Sequence, residues 1–99
     1  MIDMNGFLMI EPCGPVEPSV RDALTVATEA AILSARLGER YRGFHVCCCG
    51  ARSDNGERFI QIGSRQYLTN SLAAHYMEFH RSEVPARDIE LVRSIVGDV

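Results

Sequence analysis

Cysteine and histidine are concentrated in one part of this chain, and this clustering restricts its fold more than any other feature. Three of the four cysteines and all three histidines lie between positions 45 and 80. They form two groups, His45-x-Cys47-x-Cys49-Gly50 and His75-x4-His80. Alternate side chains of a strand share a face, so His45, Cys47 and Cys49 would lie together if this segment is extended. Whether the two groups lie close together in space then depends on the fold.

Both groups have spacings that suit metal ligation. A Cys-x-Cys pair before a glycine can present two thiolates to one ion, and His-x4-His is within the range seen for zinc histidines. Five residues of helix rotate by about 500°, leaving the two rings about 140° apart, so His80 must lie where the helix ends or tightens. Thiolates with imidazoles favour zinc over magnesium or calcium. We therefore predict a structural zinc ion on Cys47, Cys49, His75 and His80.

Other interpretations of these residues remain open at the level of sequence. His45 is an additional zinc ligand or a hydrogen-bonding neighbour of the ligands. Buried cysteine is a common small core residue, so positions 47–49 could be core thiols alone. A zinc hydrolase would use Glu78 or His45 as its base beside an open zinc position, but the chain has no HExxH motif and enzyme activity is not our preferred interpretation. Cys13, between two residues that break regular structure, is predicted to be a loop thiol.

The first part of the chain predicts an arm followed by a long helix. Residues 1–18 contain one short apolar run and then prolines and a glycine that interrupt regular structure. Ser19 is a candidate N-cap, completed by Asp22. Apolar residues then recur at spacings of three and four, which predicts a helix over 19–42. Its small residues would let a second helix approach closely, either from the same chain or from a second copy.

The rest of the chain predicts a hairpin and two helices. Positions 43–50 favour one strand, 53–56 a turn and 58–62 the return strand. A helix follows residues 69–71, and Pro85 begins the last one. We expect an α+β fold in one domain, 1–99, in which 43–99 forms a zinc-binding unit resembling a ββα zinc finger.

Charge and composition set limits on the partners. The chain has 99 residues, no lysine, and a net charge of −3, with a mild excess of arginine in the middle. We expect a cytoplasmic protein without a membrane segment, because no secretory signal and no apolar run of about 20 residues is visible. The preferred role is an accessory or regulatory module that binds a protein partner, with homodimerisation through the long helix as one form of contact. The alternative is nucleic-acid binding, which would use Arg40, Arg42, Arg52, Arg58 and Arg65.

Three segments carry a resemblance to other proteins. They are Cys-x-Cys-Gly-Ala-x-Ser-Asp-Asn at 47–55, Thr-Asn-Ser-Leu-x-x-His-Tyr at 69–76 and His-Arg-Ser-Glu-Val-Pro at 80–85. Together they resemble a set of small uncharacterised bacterial proteins, which implies no known activity. The resemblance implies that Ser53, Asp54, Asn55, Thr69 and Asn70 belong to the same unit as the metal residues, either as turn and cap residues or as a polar recognition surface.

Overall fold

A computed structural model describes residues 2–3, 6–40, 45–53 and 56–96 of the chain, and the fold is α+β. The strands are β1 (Ile2–Asp3), β2 (Arg36–Arg40), β3 (Gly56–Ile62) and β4 (Arg65–Thr69). The helices are α1 (Ala23–Ser34), α2 (Ala73–Phe79) and α3 (Ala86–Val96), with a short 3₁₀ helix (Arg81–Glu83) between the last two. Within the described residues, no helix has the length and apolar character needed to cross a bilayer.

The four strands form one sheet in the order β1-β4-β3-β2. β3 and β4 form an antiparallel hairpin, with Phe59 opposite Leu68, while the two-residue β1 runs parallel to β4. The hairpin turns at Gly63, whose φ of 64° is favoured by glycine. Ile60 and Ile62 flank the exposed Gln61 and point into the core, so one face of the hairpin is covered by the helices.

The main hydrophobic cluster lies between this sheet face and the helices. It contains ten buried residues, drawn from the N-terminal segment, all three helices and the sheet. Its members are Phe7, Leu8, Ile32, Ile60, Ile62, Tyr67, Ala73, Met77, Val84 and Val92. A second, smaller cluster consists of Cys47, Leu72 and Tyr76. The helix α2 therefore contributes to both clusters.

The predicted helix over 19–42 is wrong at both ends. Asp22 is the N-cap, since its side chain accepts from the Thr25 backbone N–H, and Ser19 instead donates to Glu78 at 2.6 Å. The helix ends at Ser34, whose hydroxyl donates back to the Ala30 carbonyl. The following residues then pair with β3 as the strand β2.

Gly38 helps to explain why residues 36–40 form a strand rather than the end of a helix. A Cβ at this position would collide with the Phe59 ring on the neighbouring strand β3. Glycine also weakens a helix by about 1 kcal/mol relative to alanine. Tertiary packing against β3 therefore overrides the apolar spacing that favoured a continuous helix.

The predicted ββα unit is also wrong, because the cysteines do not lie on the hairpin. β3 pairs with β2 and β4 rather than with the cysteine segment. The cysteine segment is joined to itself by an isolated bridge between Val46 and Arg52. Residues 43–44 of the predicted first strand and 54–55 of the predicted turn lie outside the described residues.

The N-terminal arm runs along the outside of α2 before α1 begins. Two backbone bonds hold it there: Glu17 N–H donates to the Phe79 carbonyl at 2.8 Å, and Val20 N–H donates to the Glu78 carbonyl at 3.0 Å. The side chain of Arg21 adds an ion pair with Glu78 at 2.8 Å. The arm, α2 and the cysteine segment consequently meet at one end of the molecule.

Candidate metal centre

The two candidate thiolate ligands are carried by a tight turn, which we call the cysteine turn (residues 45–53). Cys47 N–H donates to the Ala51 carbonyl at 2.8 Å, and Gly50 N–H donates to the Cys47 carbonyl at 2.9 Å. Gly50 has φ 98°, a conformation that L side chains rarely adopt. The backbone N–H groups of Cys49 and Ala51 act in the direction that lowers the thiol pKa of Cys47 and of Cys49, respectively. Such donors favour thiolates.

The two candidate imidazole ligands lie at the C-terminal end of α2. His75 is on the helix, and His80 follows its last residue, with φ −135° and ψ 35°. Leaving the helical conformation at this point is what allows the second ring to turn back towards the first. The ring centroids of His75 and His80 are 5.1 Å apart in an edge-on arrangement. His80 is completely buried, whereas His75 is partly exposed.

The cysteine turn and α2 bring all four candidate ligands together. The Sγ atom of Cys47 is 3.4 Å from Nε2 of His80, and Sγ of Cys49 is 3.2 Å from Nε2 of His75. The four ligand atoms all lie within 4.8 Å of one another. A tetrahedral zinc ion with ordinary bond lengths would place its sulfur and nitrogen ligands about 3.6 Å apart. The arrangement therefore has the dimensions of a Cys2His2 metal site.

Electrostatic surroundings differ among the four side chains. Burial raises the pKa of the Cys47 thiol. Hydrogen bonding to the His80 ring is the largest cause of the lowered pKa of Cys49. Partial burial also lowers the pKa of His75, so its neutral form, the one that binds metals, is favoured. Burial beside the thiols raises the pKa of Tyr76 to about 12, which keeps the adjacent phenol neutral.

The remaining histidine and the nearby carboxylate are placed differently. His45 is exposed and lies outside the four-residue group, next to it in a cavity of 410 Å³ that Cys47 and Tyr76 also line. Glu78 accepts hydrogen bonds through both oxygens, from Ser19 at 2.6 Å and from Arg21 at 2.8 Å. This carboxylate serves to hold the N-terminal arm on α2.

The other two cysteines lie on either side of a contact between the cysteine turn and the arm. All four cysteines of the chain are free thiols. The Cys48 thiol donates to the Pro12 carbonyl at 2.6 Å. It therefore contacts the arm and does not belong to the four-residue group. Cys13 is exposed on the arm, as the prediction of a loop thiol requires.

The polar residues singled out by the resemblance are buried where the structure describes them. Ser53 is 7% exposed and its hydroxyl accepts from the His45 backbone N–H, which closes the cysteine turn. Asn70 accepts from the Leu72 N–H at 2.8 Å, in the turn that precedes α2. Thr69 is fully buried. Ser53 and Asn70 thus bond within turns, Thr69 is the last residue of β4, and none of the three belongs to an exposed recognition surface. Asp54 and Asn55 lie outside the described residues.

Sequence reasoning missed one carboxylate at the site. Glu83, in the 3₁₀ helix, places Oε2 at 3.6 Å from Nδ1 of His80. Its spacing of three residues from a candidate histidine ligand was the available signal.

Comparisons with family models, curated proteins and solved structures find no match to this chain.

Proposed function

We propose that this protein binds one zinc ion through Cys47, Cys49, His75 and His80, and that the ion has a structural role. The observation that carries the proposal is the convergence of these four side chains to within 4.8 Å. Two sulfur and two imidazole nitrogen ligands match the donor set that zinc prefers over magnesium or calcium. Free thiols are required for this ligation, which fits a reducing compartment such as the cytoplasm.

A structural role is favoured over hydrolysis because the four protein ligands fill a tetrahedral site. Catalytic zinc usually keeps one position for water or substrate. Cys47 and His80 are buried, and Glu78, a candidate base, has both oxygens engaged by the arm. The ion would join the cysteine turn to α2, so its binding energy would become folding energy for that end of the molecule.

Metal content tests the zinc proposal. Protein purified without a histidine tag under reducing conditions should hold about one zinc per chain by elemental analysis and native mass spectrometry, the stoichiometry of a single tetrahedral site. Cys47→Ser and His75→Ala should each lower the content, while Cys13→Ser, a matched change at an exposed thiol, should not. Zinc near zero in fully reduced wild-type protein would contradict the proposal.

We also propose that the protein acts through protein contacts, and specifically through a second copy of itself. Val26, Leu33 and Leu37 are 50%, 83% and 60% exposed and lie on or beside α1. An adjoining groove of 840 Å³ is lined in part by alanines of α1 and otherwise by residues of the sheet and of α3. β2 is the outermost strand, and its outer edge pairs with no strand among the described residues. Antiparallel pairing of β2 with its own copy is a twofold contact that would also cover these apolar residues.

Sedimentation tests this contact. Wild-type protein should be dimeric at micromolar concentration, and Leu33→Glu should shift it to monomer because a carboxylate would be buried at the interface. Val16→Glu is the matched control, since Val16 is 51% exposed on the arm. A wild-type monomer throughout the range would contradict a second copy as the partner.

Nucleic-acid binding has no specific observation in its favour. Arg58 is partly buried and donates to the Ile32 carbonyl at 3.0 Å. Arg52 and Arg65 are exposed. The side chains of Arg40 and Arg42 lie outside the described part of the structure.

A further inference from the structure

The two ring nitrogens of His80 have different surroundings: one faces the candidate metal site and the other does not. Nε2 faces Cys47, whereas Nδ1 is buried and has no hydrogen-bond partner among the described residues. A neutral imidazole that binds a metal through Nε2 carries its proton on Nδ1. Metal binding would therefore leave a buried donor that needs an acceptor.

Glu83 is the acceptor within reach. Its Oε2 lies 3.6 Å from Nδ1 of His80, slightly longer than a hydrogen bond, so a shift of a few tenths of an ångström would form one. The Glu83 side chain is 30% exposed, which leaves it room to move while it faces the buried ring. Metal-bound histidines generally donate their second N–H to a group of this kind.

The same carboxylate holds the N-terminal arm. Its Oε1 accepts from Cys13 N–H at 2.9 Å, and its Oε2 accepts from Gly14 N–H at 3.2 Å. A Cβ at position 14 would lie 3.1 Å from Oε2, so glycine permits this close approach. On the opposite side, the Cys48 thiol holds the Pro12 carbonyl. Residues 12–14 are thus clamped between the cysteine turn and the 3₁₀ helix.

We propose that Glu83 is a positioning residue that fixes His80 for metal binding and couples metal binding to docking of residues 12–14. This inference rests on the proposed zinc site. Zinc would hold the cysteine turn and His80 at a fixed separation, which is the separation that residues 12–14 bridge. In return, the Cys13 and Gly14 amides hold the carboxylate where Nδ1 of His80 needs it.

Zinc affinity, measured by competition with a chromophoric chelator, tests the proposal. Glu83→Ala should weaken zinc binding by about 10–100-fold. Glu83→Gln should recover part of that loss, because its amide oxygen can accept the same proton. Glu78→Ala is the matched control: it also removes a carboxylate that anchors the arm, but one occupied by Ser19 and Arg21, so it should leave the affinity unchanged.

Amide hydrogen exchange gives a second readout that also works in wild-type protein. Zinc should raise the protection of the Cys13 and Gly14 amides, and Glu83→Ala should abolish that gain. The Glu17 and Val20 amides, which bond to α2 carbonyls, should keep theirs. If Glu83→Ala does not fold, the wild-type exchange decides: unchanged protection at Cys13 and Gly14 on zinc binding overturns the coupling.

The outcomes separate this inference from the proposed function. Wild-type protein that binds no zinc overturns both. Wild-type protein that binds zinc, with equal affinities for Glu83→Ala and wild type, overturns only the role of Glu83. Equal losses in Glu83→Ala and Glu78→Ala also overturn it, since they would reflect charge or arm anchoring alone.

Discussion

The two buried clusters of this protein differ in how they can be stabilised. The main cluster has ten buried residues and is enclosed by the sheet and helices, so apolar burial suffices to hold it. The small cluster has only Cys47, Leu72 and Tyr76, and one of its walls is the cysteine turn, which contains no regular element beyond a single bridge. We propose that a metal ion on the four converging candidate ligands supplies the stability that so small an apolar cluster lacks.

α2 connects the two clusters. Ala73 and Met77 face the main cluster, while Leu72 and Tyr76 face the small one. His75 is part of the same helix, and His80 is the residue that follows its end. The two clusters therefore share one seven-residue helix.

Zinc removal should have the largest effect and should act on one cluster. If free zinc exceeds the dissociation constant 1,000-fold, its loss lowers the free energy of opening by about 4 kcal/mol. We expect the Cys47 and Gly50 amides, which close the cysteine turn, to lose most of their exchange protection on chelation. Amides of the β3–β4 hairpin should keep theirs and serve as the internal control. Equal loss in both places would show that the clusters do not differ in this way.

Met77→Ala should have the next largest effect and should act on the main cluster. Met77 is fully buried, and truncation of such a side chain costs about 2–5 kcal/mol through lost burial and the cavity left behind. Urea unfolding should show this loss both with zinc and with chelator. Val16→Ala, at a 51% exposed position on the arm, should change stability by less than about 0.5 kcal/mol. A similar cost for the two variants would be inconsistent with the assigned core.

Asp22→Ala tests the contact between the start of α1 and the end of α2. Asp22 caps α1 through the Thr25 N–H and accepts from Arg81 at 2.7 and 3.0 Å. Loss of an N-cap costs about 0.5–2 kcal/mol. Asp22→Asn, which keeps a capping oxygen, should cost less in the same unfolding experiment. A neutral Asp22→Ala variant would rule out this cap as a stabilising contact.

The smallest effect should be the pH dependence of that ion pair. The Arg81 guanidinium holds the pKa of the Asp22 carboxyl well below its usual range. A carboxyl whose folded pKa is depressed contributes stability above its unfolded pKa, about 3.9, and loses it as the pH falls below that value. The difference between wild type and Asp22→Asn should therefore shrink on acidification below about pH 4. The side chain is 44% exposed, so the difference should be within about 1 kcal/mol.

Chelator should be present in both samples of this pH series, so that acid release of zinc does not contribute. A constant difference between the two proteins from neutral pH to pH 2 would contradict the assignment of this effect to the Asp22 carboxyl.

The sequence predicted those parts of the fold that depend on local signals. The strand β3, the helix α2 after residues 69–71 and the start of α3 after Pro85 all follow from alternation, turn and cap residues. The convergence of the two Cys/His groups also followed from their spacing, together with the requirement that His80 leave the helix. The structure places these four side chains together.

The parts that could not be predicted depend on contacts distant in sequence. Leu37 lies four residues after Leu33 and so continues the helical spacing, but pairing with β3 makes residues 36–40 a strand. The cysteine segment contains residue types that favour a strand, yet Gly50 and the hydrogen bond from Cys47 N–H to the Ala51 carbonyl turn it back on itself. The role of Glu83 required knowing that the arm, 70 residues away, returns to it.

X-ray absorption at the zinc edge of the zinc-loaded protein tests the central claim most directly. The account predicts a four-coordinate shell of two sulfur atoms at about 2.3 Å and two nitrogen atoms at about 2.0 Å. In Cys49→Ser, one sulfur contribution should disappear. A shell containing only nitrogen and oxygen, or the same sulfur count in wild type and Cys49→Ser, would contradict the claim that the cysteine turn and α2 bind one common ion.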